Sequence, residues 1–375
     1  MTKSIIKREQ ESTEGKQSSR DMKTAAIMET SKRGLDAFRA TEAAVSSLRQ
    51  EATKWSKASP EQLAGRLAEI HHSGSFNANA ARSGMSHLKA VTGSQAGLPT
   101  APHDISMLRH GVEAGQAQVK YHGTAPRTTF QISAKKYDGM QKIVPADQAD
   151  RVRHIAGRRG VDGLGKRNYP DTASNASAQL RMEGVESQPL SRSQALELAK
   201  NPAGRSQAMM TAELQRSIKS GASTGALVGA GISVVVNTHA LCTDKKDLPQ
   251  ALVDVAVDTG SSAAIGAACA GGSVLIKQGL VRAGASGLAR SSAPVALAMG
   301  GVEVLADAGK LVSGSIDGGE FASRTGKTAV RTGTSWGGME AGAALGTAIC
   351  PGAGTIIGGI IGGIGGAFFG SWITS

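Results

Sequence analysis

Asp104 and the triplet Gln118-Val119-Lys120 bring a carboxylate, an amide oxygen and an amine into a short stretch of chain. A carboxylate and an amide carbonyl are hard oxygen donors of the kind Mg²⁺ takes. A lysine on the same strand face as the amide could orient a water or offset charge growing on a phosphate. For these groups to meet, Asp104 and Gln118 must lie on neighbouring elements. Residues 103–108 and 116–121 read as two short strands joined by a turn holding Gly111 and Gly115. In the second strand Gln116, Gln118 and Lys120 share one face, and Ala117, Val119 and Tyr121 share the other.

Other reactive types are less well placed. His71 and His72 stand with His87, His103, His110 and His122 nearby in sequence, but adjacent histidines project in different directions on a helix. His72 is expected as a hydrogen-bonding group near Asp104 rather than as a zinc ligand. Thr325-Gly326-Lys327-Thr328 resembles the end of a phosphate loop, yet Phe321 occupies the position where that motif needs glycine. Cys242, Cys269 and Cys350 lie far apart in apolar settings and read as small buried hydrophobes, not as a disulfide or metal framework.

The elements around Asp104 follow a definite order. Ser59-Pro60-Glu61 starts a helix with a hydroxyl cap and proline in the first turn, and Leu63, Leu67 and Ile70 mark its apolar face. That helix is expected to end at His71-His72, with a second from about 77 to 91. The two strands follow, then a helix near 127–137, a third strand at Gln141-Lys142-Ile143-Val144 and a helix over 147–155. With Pro102-His103-Asp104 and Gln118-Val119-Lys120, this arrangement resembles the PD-(D/E)xK nuclease superfamily in its Mrr-like variant, where the second acid is Gln. The resemblance covers about residues 60–155. It implies that Asp104 and Gln118 bind Mg²⁺, that Lys120 serves the attacking water or the phosphate, and that the first-helix acid of the family maps onto Glu69, with Glu61 in the same helix. The opposing expectation is a surface hairpin whose Gln and Lys are merely solvated.

Charge separates the chain into two parts. The 375 residues carry a formal net charge of +12, but residues 221–375 hold 9 Lys+Arg and 9 Asp+Glu, so the excess lies entirely before residue 221. Arg151, Arg153, Arg158, Arg159, Lys166 and Arg167 concentrate it and are the expected nucleic-acid contacts. Residues 1–20 carry several basic residues with no apolar run after them, which reads as a disordered start without a signal peptide.

Glycine dominates the neutral part. Gly221, Gly225 and Gly229 recur every four residues, as do Gly338, Gly342 and Gly346, and then Gly354, Gly358, Gly362, Gly366 and Gly370. On a helix this spacing makes a ridge without side chains, against which another helix can pack closely. Cys350-Pro351-Gly352 breaks the last stretch into an expected helical hairpin, 336–350 and 353–373. No charge follows Glu340, and Trp336 and Trp372 bracket the hairpin as interfacial anchors would. Its second arm is about 20 residues, the length that crosses a bilayer. The stretch resembles the glycine-zipper segments of bacterial membrane and pore-forming proteins, which implies membrane or self-association.

The expected organisation is therefore a disordered 1–20, a helical 21–58, a basic α+β domain at 59–170 with a small mixed sheet flanked by helices, a helical linker at 171–220, and an all-α Gly/Ala-rich membrane-associated region at 221–375. The expected function is a Mg²⁺-dependent nuclease-like protein tethered to a membrane in bacterial antagonism or phage defence. It would sit at the cytoplasmic face of the inner membrane, or at a target-cell membrane if delivered. The alternative is a glycine-zipper effector that oligomerises or forms pores, with a non-catalytic N-terminal adaptor. Nucleic acid, a membrane and further copies of the chain are the expected partners.

Overall fold

A computed structural model describes residues 2–97, 101–160, 167–242, 248–282 and 284–349. The chain divides into two units, Asp36–Glu213 and Met1–Leu35 with Leu214–Ser375. The first contains a mixed five-stranded sheet with flanking helices, and the second is mostly helical, as the sequence predicts.

Helix α1 spans Thr2–Lys54, taking in the start of the chain where the polar composition predicts disorder. Helix α2, Pro60–Arg82, is capped reciprocally: Gln62 N donates to Ser59 Oγ at 3.3 Å, and Ser59 N donates to Gln62 Oε1 at 3.3 Å. It does not stop at His71-His72. It runs on through Gly74, where a Cβ would collide with that of Ala44 on α1, so glycine is needed for the close approach of the two helices. The expected second helix over 77–91 is instead the end of α2 followed by strand β1, Leu88–Thr92. Asn77 holds the strand in place, its amide donating to Ala90 O at 2.8 Å and accepting from Ala90 N at 2.7 Å.

Strands β2 (Ile105–Arg109) and β3 (Val112–Val119) follow, joined at His110 and Gly111. Both turn residues have positive φ, 50° and 80°, as a tight two-residue hairpin turn requires. Helix α3 (Ala125–Ile132) crosses over to β4 (Gln141–Ile143), which runs parallel to β3. Helices α4 (Ala149–Arg159) and α5 (Tyr169–Asn175) lead to β5 (Ala176–Ser177), parallel to β4. The sheet order is β1-β2-β3-β4-β5, antiparallel in its first three strands. A separate hairpin, β6 (Arg181–Met182) and β7 (Val185–Glu186), precedes helix α6, Arg192–Lys200.

Two apolar clusters hold this unit together. Leu67, Phe76, Ile105, Ala117, Ile143 and Leu198 belong to one, and Ile132, Val144, Val152 and Ala176 to the other. Burial of each such side chain contributes about 1.5–3 kcal/mol. Leu180, Val185, Leu190 and Leu198 lie in the first cluster, so the stretch from 171 is part of the core rather than the expected linker. Its short strands have no period that would announce them.

The second unit contains the later part of α7 (Pro202–Cys242), α8 (Leu248–Arg282), α9 (Ser286–Arg290), α10 (Ala293–Val312) and α11 (Gly318–Ile349). Gly221, Gly225 and Gly229 form the expected ridge on α7. A Cβ at Gly221 or Gly225 would run into the carbonyl oxygen of Gly266 or Ser262 on α8, and one at Gly229 would sit 2.7 Å from Ser262 Cβ. Gly266 meets Gly221 in the same way from the other side. Cys269 is buried, its Sγ 3.8 Å from Val295 O of α10, and burial pushes its thiol up to about 11. Among the described residues one helical stretch, Val253–Arg282, is long and apolar enough to cross a membrane, and a third of its apolar window is buried within the fold. Helix α11 begins well before residue 336 and carries Gly338, Gly342 and Gly346. The second hairpin arm, with Gly354, Gly358, Gly362, Gly366 and Gly370, lies outside the described residues.

Candidate functional site

The register of β2 on β3 places Ile105 opposite Ala117, and Asp104 N donates to Ala117 O at 3.0 Å. Asp104 therefore arrives beside Gln118 at the end of the pair where the turn is not. Its Oδ2 accepts three donors: the Gln118 side-chain amide, Val119 N at 2.9 Å and Lys120 Nζ at 3.5 Å. Parallel pairing with β4 anchors the third residue of the triplet, Lys120 N donating to Ile143 O at 3.0 Å. Gln118 is buried, not solvated, and its Oε1 has no hydrogen-bond partner. A buried amide oxygen left unpaired costs about 1–3 kcal/mol unless something else takes it up.

Glu69 supplies the fourth group from α2. Glu69, Asp104 and Lys120 line one cleft of about 750 Å³. Burial, followed by the negative charge of Asp104, raises the Glu69 carboxyl to about 8, against the smaller opposing pull of Lys120 and Arg66. Glu61 also lines the cleft, farther toward the start of the same helix.

Below the cleft the chain is held by a buried chain of hydrogen bonds. His72 Nε2 pairs with Tyr121 Oη at 2.9 Å and its Nδ1 with Ser187 Oγ at 3.0 Å, while Tyr121 Oη donates to Leu190 O at 2.9 Å. Burial and the neighbouring His71 hold the His72 imidazolium well below the usual histidine range. His72 thus braces the residue that follows Lys120.

Among the described residues no group of three or more His, Cys, Asp or Glu side chains is placed to hold a metal. The donors gathered here are different: two carboxylates, Asp104 and Glu69, and the unpaired amide oxygen of Gln118. All are hard oxygens, and the raised Glu69 together with the orphaned Gln118 oxygen is the state that a hard cation would relieve, so the residues fit Mg²⁺.

The expected basic contacts are elsewhere. Arg151, Arg153, Arg158, Arg159 and Arg167 do not line the cleft. Arg153 is paired with Asp150, Arg159 donates to Tyr169 Oη at 3.1 Å, and Arg167 lies over the Phe130 ring at 3.9 Å. Lys166 is outside the described residues. The cations that do line the cleft, besides Lys120, are Lys54, Arg66, Arg127 and Arg192. They come from four separate helices, and no local pattern in the sequence marks them. Arg66 stacks over Trp55, with Cζ 3.8 Å from the ring centre.

No curated protein and no solved structure matches the chain. One protein family does: residues 320–373 match the model described as C13G5.2-like, glycine zipper domain. That match covers α11 from Glu320 onward and the glycine-rich stretch after it, and it does not reach the Asp104 cleft. Residues 320–373 therefore resemble a glycine zipper domain, and the chemistry of the Asp104 cleft rests on that unit's own residues.

Proposed function

We propose that residues 36–213 form a metal-dependent phosphodiesterase acting on nucleic acid, carried on a chain whose helical part anchors it to a membrane through glycine-packed helices. The observation that carries the enzymatic part is that Glu69 of α2, Asp104 just before β2 and Lys120 just after β3 line one cleft, with buried Gln118 donating to Asp104 behind it. The order helix, strands, helix, parallel strand suits the same reading, with β1 as an additional antiparallel strand where the sequence predicted a helix.

Asp104, Glu69 and the Gln118 amide oxygen would hold Mg²⁺, which when bound supplies Lewis-acid polarisation of a phosphoryl oxygen and a more acidic water. Lys120, kept beside Asp104, offsets negative charge on the phosphate and orients a water toward it. Glu69, its carboxyl raised to about 8 by burial, keeps its proton at neutral pH, so holding Mg²⁺ would release that proton. Val119 N and Lys120 together hold the Asp104 carboxylate in one orientation.

A second reading is favoured by the helical part alone. Backbone contact through Gly221, Gly225 and Gly266, the apolar stretch Val253–Arg282 and the glycine-zipper match all suit helices that pack within or across a membrane. In that reading the chain acts on the membrane and the cleft is an adaptor. Induction in bacteria, scoring DNA integrity and membrane potential together, separates the two. DNA loss that disappears in Asp104→Ala and Lys120→Ala supports the phosphodiesterase. Depolarisation that ignores both variants and disappears in Gly225→Leu supports the membrane effector.

A further inference from the structure

The wall of the cleft beside Lys120 has a feature that the four converging residues do not use. The loop leaving β3 carries His122 and Gly123 into α3, Arg127 stands in the first turn of α3, and Arg192 is the first residue of α6. All four line the same cleft as Asp104. The Arg192 guanidinium lies against the loop: a Cβ on Gly123 would be 3.5 Å from its Nη2. Loop and helix are tied to one turn, since Gln148 Nε2 donates to His122 O at 3.0 Å and Arg192 N donates to Asp147 Oδ1 at 2.8 Å. Thr128 Oγ1 donates to Gln148 Oε1 at 2.8 Å and so joins α3 to the same turn.

Several cations elsewhere in this unit have partners: Arg153 has Asp150, Arg82 has Glu213, and Lys142 has Asp171. Among the described residues the guanidinium groups of Arg127 and Arg192 form no ion pair. His122 Nε2 is buried with no hydrogen-bond partner. Burial first, then the positive charges of Arg127, Lys120 and Arg192, hold the His122 imidazolium below its usual range, so the ring is neutral at pH 7 and able to donate one N–H. Two unpaired guanidinium groups and a neutral donor lining the same cleft, close enough that both charges act on His122, make a place for an anion. Guanidinium groups favour phosphate because their paired N–H donors match its oxygens.

We infer that Arg127, Arg192 and His122 form a phosphate subsite that grips a second phosphate of a nucleic-acid strand, next to the one presented to Asp104 and Lys120. The inference rests on the phosphodiesterase reading for its neighbour and names the substrate class of that cleft: a polynucleotide strand rather than an isolated phosphodiester.

The test is binding of a short fluorescein-labelled single-stranded DNA to the full chain in EDTA, followed by anisotropy over a salt series. Arg127→Ala/Arg192→Ala should bind at least about 10-fold more weakly, and the slope of log affinity on log salt should fall by about 0.7, the value for one lost phosphate contact on a single strand. Arg127→Lys/Arg192→Lys, which keeps the charge and guards against loss of fold, should retain the salt slope but not the full affinity. Lys89→Ala, exposed on β1, should bind like wild type. Unchanged affinity in the alanine pair, a loss that follows Arg151→Ala/Arg158→Ala instead, or no binding by wild type would overturn the subsite. The two readings fail separately. DNA binding that depends on Arg127 and Arg192, without Mg²⁺-dependent cleavage, keeps the subsite and removes the phosphodiesterase. Cleavage by wild type that the alanine pair leaves intact, with binding also intact, does the reverse.

Discussion

Replacing Glu69 by Gln should stabilise the unit around the cleft, and only at high pH. In the fold the carboxyl keeps its proton up to about 8, whereas in the unfolded chain it loses it near 4.5. Between those values the folded state binds more protons than the unfolded state, so wild-type stability falls as pH rises through the window and levels off above it. At 1.36 kcal/mol per pH unit the ceiling of the loss is about 5 kcal/mol. Glu69→Gln keeps the shape of the neutral acid and cannot ionise. Its advantage over wild type should be near zero around pH 4, grow across the window and reach several kcal/mol at about pH 9. Asp104 is the second cause of the raised value, so Asp104→Asn should bring the upper end of the window to lower pH and shrink the total loss. Urea unfolding followed through Trp55, with Trp336 and Trp372 replaced by Phe, measures this in the full chain. An advantage of Glu69→Gln that is the same at every pH, or a wild-type curve indifferent to Asp104→Asn, would refute the electrostatic account of the cleft.

Further outcomes follow from packing and pairing. Gly225→Val places a side chain against the Ser262 carbonyl and should cost at least about 1–3 kcal/mol of helical-unit stability, the range for overpacking, seen as a lower melting temperature. Lys142 is fully buried and paired with Asp171; Asp171→Ala, which strands the charge, should cost about 3–5 kcal/mol by urea unfolding, while Lys142→Met should cost far less. His72→Phe removes a group that resists protonation in the fold. Wild type loses stability as pH falls below about 6.5, where the unfolded histidine takes up a proton, and the variant should lose less over the same range, as a pH series of melting temperatures would show.

Local signals in the sequence carried the site further than the fold around it. Asp104 and Gln118 were legible as polar groups on two neighbouring short strands, but the expected turn holding Gly111 and Gly115 is a two-residue turn at His110-Gly111, and the register shift between Met107 and Leu108 is what sets Gln118 beside Asp104. Glycine spacing at 221, 225 and 229 was legible because helix geometry converts it directly into a bare ridge. Strand β1 was not, since it follows α2 after a short turn and its pairing partner lies across the loop that begins at Gly93. The hairpin of β6 and β7 and the helix α6 read as linker because two-residue strands show no alternation and their burial depends on distant residues of α2. Arg127 and Arg192 were invisible for the same reason, as each is an unremarkable basic residue at a helix start until the fold brings the two starts to one cleft. The basic run from Arg151 to Arg167 drew attention by density, yet much of it serves Asp150, Tyr169 and Phe130.

The most direct measurement is incubation of the purified full chain with DNA and with RNA in Mg²⁺, against EDTA and against Asp104→Ala and Lys120→Ala variants whose circular dichroism matches wild type. The account predicts cleavage that needs Mg²⁺ and falls by about 10²-fold or more in each variant, the scale of losing one group that stabilises developing charge. Intact nucleic acid under all these conditions, or cleavage that survives both substitutions, would contradict it.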